Sequence, residues 1–122
     1  MNYAYLLAGG VSAFALVVHL MLGRARPLPS PRSNSPDALL LVDAWYGRHA
    51  STIALTVMAF SFAYASRAHG ANDLAFAVSA LALMFACLRI GLALYARARG
   101  ADMTQWGLIA TAGVLGALGA SG

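Results

Sequence analysis

Apolar residues fill most of this chain in long runs separated by brief polar breaks. The first run, residues 3–22, carries no formal charge, and its length matches what an α-helix needs to cross roughly 30 Å of hydrocarbon. Runs at 47–65, 74–96 and 103–120 predict three more helices, the third interrupted inside only by Arg89. A linker, 24–35, holds three of the four prolines, a density that neither helix nor strand tolerates. The helix can restart at once, with Ser35 as N-cap, Pro36 at the first helical position and Asp37 against the dipole. Residues 37–46 then lie in the membrane interface or project into the cytoplasm. A tight turn is expected at 67–73, where Gly70 and Asn72 act as breakers, and a loop at 97–102. The pattern predicts an all-α fold: a four-transmembrane-helix up-and-down bundle forming a single integral membrane domain.

Composition supports lipid as the main solvent. Hydrophobic residues make up 61% of the 122 and charged ones 10%, against about a quarter charged in an ordinary soluble domain. No positive charge precedes the first run, while Arg24 and Arg26 follow it, so it reads as an uncleaved helix and not as a signal peptide. Arg24, Arg26, Arg32, Arg48, Arg97 and Arg99 fall near span ends on one side, and Arg67 alone on the other. The positive-inside rule then puts both termini outside the cytoplasm, in a bacterial inner membrane. The net charge of +4, from eight Arg and four Asp, is thereby an orientation signal, and no nucleic-acid partner is expected. The expected partners are the lipid bilayer and either further copies of the chain or a larger membrane complex. Small-residue pairs at Gly113 and Ala117, Gly116 and Ala120, Ala75 and Ser79, and Ala82 and Ala86 suit close helix packing within the chain.

Polar side chains inside a bilayer are costly, so His19, His49 and Arg89 each raise the question of a partner. On the predicted topology all three lie in the cytoplasmic half. His49, Thr52 and Thr56 recur on one face of the second helix, and Ser12, His19 and Gly23 on one face of the first. If the stripes face each other they enclose a small polar cavity, with Asp43 placed to neutralise Arg89 or orient a histidine. His19 and His49 suit structural hydrogen bonding first; the alternatives are ligation of haem, copper or zinc, and proton transfer. No second cysteine or third ligand joins the pair, as zinc would require. For Arg89 the readings are snorkelling or an ion pair, then contact with an anionic headgroup. His69 falls in an exposed turn. Cys87, the single cysteine, has no pairing partner within the chain and reads as a small core residue; this excludes thiol oxidases that need cysteine pairs. The lack of carboxylates inside the spans argues against an ion-coupled pump.

The order His19, Gly23, Pro27-Leu28, His49-x-x-Thr52 and Gln105-Trp106 resembles a group of small four-helix bacterial inner-membrane proteins of about this length, without an assigned activity. In that group a tryptophan commonly precedes the second histidine, whereas Arg48 does so here and Trp45 lies three residues before that arginine. GRHAST in the second span and LRIGLALYARARG after the third also resemble the membrane-associated proteins of eicosanoid and glutathione metabolism. That resemblance implies a glutathione site built on an Asn and a Glu of the second span, and this chain has neither there. The sequence therefore points to an accessory or structural membrane subunit without enzymatic activity and without a cofactor. The alternatives are a haem- or metal-binding redox component using His19 and His49, and a glutathione-type transferase.

Overall fold

The computed structural model describes residues 1–25, 38–95 and 102–122. They form four helices, α1 (Tyr3–Ala25), α2 (Ala38–Ala65), α3 (Asn72–Tyr95) and α4 (Asp102–Ser121), with no strand among the described residues. The all-α expectation holds, and consecutive helices run antiparallel.

Local chemistry sets the ends of the helices. Asn2 caps α1, its Oδ1 accepting from the amides of Ala4 at 3.0 Å and Tyr5 at 3.4 Å, which satisfies donors that the first turn leaves open. At the end of α2 the amides of Ser66, Arg67 and Ala68 donate back to Phe62 and Tyr64 carbonyls. Gly70 then adopts φ +81°, a left-handed conformation that glycine reaches without a Cβ clash. Asn72, expected as a breaker, is instead the first residue of α3, with Asp73 following in the first turn where a negative charge complements the helix dipole. The proposed cap at Ser35, Pro36 and Asp37 lies outside the described residues, as does most of the 97–102 loop. Residues 38–46, expected in the membrane interface or projecting into the cytoplasm, continue the second span as one helix: α2 is a rod of 28 residues, about 42 Å long.

The helices sit at the corners of a square in chain order. The α3/α4 seam is the most extensive, α1 packs closely on α2 and α4, and the α2/α3 seam is the loosest. Side-chain size is distributed unusually. Ala8, Gly9, Ser12 and Ala15 of α1 and Ala75, Ser79, Ala82 and Ala86 of α3 are buried, while Phe14, Phe60, Phe76, Met84 and Leu118 point outward. The paired small residues expected on α3 are thus all internal. On α4 the internal set differs from the expected pairs: Gly113, Gly116 and Gly119 are buried, and Ala117 and Ala120 are only half-buried. These glycines recur every three residues, and the buried four-residue pair of small residues is Ala112 and Gly116. A Cβ at Gly116 would run into Ser79 Oγ and the Phe62 ring, and one at Gly119 would lie 2.6 Å from Tyr5 Cε1.

By length and apolarity α1 and α3 could each cross a membrane. Between them, α2 is made less apolar by Arg48, His49 and its hydroxyl residues, and α4 by Gln105 and its glycines. Neither reaches the level of α1 and α3.

Candidate functional site

The polar residues singled out in the sequence lie toward the end of the bundle where α1 and α3 finish and α2 and α4 begin. The imidazole of His19, on α1, reaches two other helices. Gln105 of α4 donates from Nε2 to His19 Nδ1 at 2.8 Å, and His19 Nε2 is 3.1 Å from the Arg48 carbonyl of α2. In this arrangement Nδ1 accepts and Nε2 donates to Arg48 O. Arg48 returns the link, its Nη1 donating to Gly23 O at 3.3 Å near the end of α1, where a cation also complements the dipole. His19, Arg48 and Gln105 thus tie three helices together. Gln105 is 6% exposed, so its amide depends on a protein partner.

The stripe expected on α2 from His49, Thr52 and Thr56 differs at its first member. Arg48 and Thr52 face α1, and His49 does not. His49 is exposed, stacks on Trp45 with ring centroids 5.6 Å apart, and lines an outer groove between α2 and α3 with Tyr46 and Ile53. The structure therefore does not bring His19 and His49 to a shared point, and no three His, Cys, Asp or Glu side chains converge among the described residues. Thr52 and Thr56 turn their hydroxyls back to the carbonyls of Arg48 and Thr52, at 3.1 and 2.8 Å. Ser12, Ser51, Ser79 and Thr111 do the same one turn back, which satisfies a hydroxyl where water is scarce.

Arg89, on α3, lies over the Trp106 ring of α4, with Cζ 5.2 Å from the centroid, a distance at which ring and cation attract. Asp43 is exposed and borders the same cavity as Arg89, His19 and Gln105. Among the described residues, Arg89 is held by Trp106 and not by Asp43. That cavity has a volume of about 500 Å³. Trp106 forms part of its wall, and the Trp106 Nε1–H is buried without an acceptor among the described residues. His69 is exposed in its turn, as expected. Cys87 corrects another expectation: it is exposed on α3 and not a core residue, because the buried face of α3 is set by Ala75, Ser79, Ala82 and Ala86.

A second polar cluster, at the opposite end, was not expected. Tyr5 OH donates to Asn72 Oδ1 at 2.9 Å, Asn2 Nδ2 donates to Gly119 O at 3.0 Å, and the Asn2 amide donates to Ser66 O. These bonds join both chain ends to the α2–α3 turn. Asn2 as a cap was readable from its place before a helix, but its reach to Gly119 was not. Tyr5→Phe keeps the 1%-exposed ring and removes only the hydroxyl bond. We expect a loss of about 1 kcal/mol, measured by denaturant or thermal unfolding in detergent, with the helix content unchanged.

No protein-family model matches this chain, and no curated protein or solved structure is detectably similar to it.

Proposed function

We propose that the chain is a multi-pass membrane protein in which all four helices cross a bacterial inner membrane, the arginine-rich end lying in the cytoplasm. Its role is structural, as a non-catalytic accessory subunit or a self-associating bundle. The observation that carries this reading is the apolar exterior: large apolar side chains are exposed on every helix, while α1 and α3 meet their neighbours largely through Ala, Gly and Ser. In water such an exterior would aggregate, since soluble monomers rarely expose contiguous apolar patches beyond a few hundred Å². In lipid the apolar force between helices vanishes, and close approach through Ala, Gly and Ser takes over. The hydroxyls bonded back to their own helices fit the same surroundings. The polar cluster fits a structural role because both nitrogens of His19 and the hydroxyls of Thr52 and Thr56 are engaged within the protein.

The reading is tested by alkaline extraction and reporter fusions. The protein should stay in the membrane pellet. A periplasm-dependent reporter should be active at Gly122 and inactive at Ser30. Release by alkali would overturn the membrane assignment, and a reporter at Gly122 that works only in the cytoplasm would overturn the orientation. An absorbance spectrum with metal analysis of the purified protein tests the structural role: a Soret band, or stoichiometric metal lost in His19→Ala, would replace it with the redox reading.

A further inference from the structure

The α2/α3 seam, the loosest of the bundle, opens along its length toward the arginine-rich end. An outer groove of about 490 Å³ is walled by side chains such as Ile53, Val57, Leu81 and Phe85. Behind it lies a narrower crevice of about 230 Å³ whose floor is Trp106 and Ile109 of α4. Ala50, Ala54, Met58 and Phe85 line both. Gly47, Ser51 and Trp106 in turn line both the crevice and the polar cavity that holds His19 and Arg89. The three spaces therefore form one path, apolar from the outer face inward and polar at its end. The polar end has charged walls from Arg48, Arg89 and Asp43, a positive sum. Trp106 forms part of its wall; its indole N–H is buried and has no acceptor among the described residues, although a buried indole N–H ordinarily has one.

We infer that this path holds an anionic phospholipid, its phosphate beside Arg89 and Trp106 and one acyl chain lying in the groove past Ala54 and Met58. The inference rests on the membrane reading above. Charge complementarity selects the headgroup, because basic pockets between helices near the cytoplasmic leaflet attract anionic lipids. A guanidinium binds phosphate through charge-assisted hydrogen bonds, and a phosphate oxygen that reached the indole would supply the acceptor that its N–H lacks among the described residues. The Arg89–Trp106 stacking holds the guanidinium beside the cavity before the lipid arrives. The continuity of the groove with the apolar exterior gives the chain a route of entry from the bilayer.

The test uses the full chain in neutral detergent with Trp45→Phe, which leaves Trp106 as the only indole. The protein is titrated with phosphatidylglycerol or phosphatidylcholine carrying brominated acyl chains, and Trp106 fluorescence is followed. Phosphatidylglycerol should quench saturably, with phosphatidylcholine weaker by about tenfold or more. Arg89→Ala should abolish that difference and Arg89→Lys should keep most of it. Ala54→Phe, or Ala50→Leu should the first fail to fold, should weaken quenching by both lipids, and inorganic phosphate should not compete at concentrations equal to the lipid. Equal quenching by the two lipids, a headgroup preference that survives Arg89→Ala, or quenching indifferent to both groove variants would each overturn the assignment. Competition by free phosphate at equal concentration would show a headgroup site without an acyl chain and overturn it as well. Failure here leaves alkaline extraction unaffected, so the two readings fall separately.

Discussion

Replacing Gly116 with alanine is expected to destabilise the bundle by about 3 kcal/mol, at the upper end of what one inserted methyl group costs in a packed core. The new Cβ would fall 2.7 Å from Phe62 Cζ and against Ser79 Oγ. Neither neighbour can yield easily, since Phe62 is 0% and Ser79 1% exposed. The serine hydroxyl is also bonded to Ala75 O. The helices must then separate where α4 meets α3 and the Phe62 ring of α2. Two other glycines of the same helix calibrate the effect. At Gly113 the obstacle is the half-buried Leu83 side chain, 2.9 Å from the Cβ position, which can change rotamer, so Gly113→Ala should cost less. At Gly107 nothing lies within 4 Å, and Gly107→Ala should be neutral or stabilising by up to about 1 kcal/mol through helix propensity. Unfolding in mixed micelles would order the three. Equal losses at Gly107 and Gly116 would contradict the packing of α4.

The second large effect is expected at His19. His19→Leu removes two interhelical hydrogen bonds and strands the buried Gln105 amide, a combined loss of about 3 kcal/mol. Gln105→Leu alone should cost less, because His19 keeps its bond to Arg48 O. The double variant should be markedly more stable than the sum of the singles predicts, since replacing both partners leaves no buried amide without a partner. A double-mutant cycle gives the coupling directly. Additive losses would mean that the 2.8 Å contact between Gln105 and His19 carries no energy. If the site served a metal through His19, the double variant would show no such recovery and metal content would fall in both single variants.

His19 and Arg89 are both accounted for within the protein, yet in different ways. The first bridges helices with neither nitrogen open. The second lies across an indole and lines a cavity. This separates a structural element from a binding element inside what the sequence presented as one polar cluster. His49, the third member, belongs to neither and faces the outer groove.

Charge and apolar runs alone marked the four helices, the turn at Gly70, the basic end and the small-residue face of α3. Each depends on local composition or on i, i+4 geometry. His19 and Arg89 were also legible, because an ionisable residue in an apolar run stands out whatever surrounds it. The rotation of each helix about its axis was not. In a soluble bundle a polar stripe marks the outside; here large apolar side chains cover the outside and the inside holds small residues together with Leu55, Met58 and Phe62, so hydropathy hardly distinguishes the faces. Successive residues on a helix point about 100° apart, and an error of one position put His49 where Arg48 stands. The same ambiguity hid Gly119 behind Ala120 and assigned Cys87 to the core. Only tertiary packing decided that Gln105 and a backbone carbonyl are the partners of His19 and that Trp106 lies under Arg89. Those choices follow from which helices are neighbours and how closely glycine and alanine let them approach.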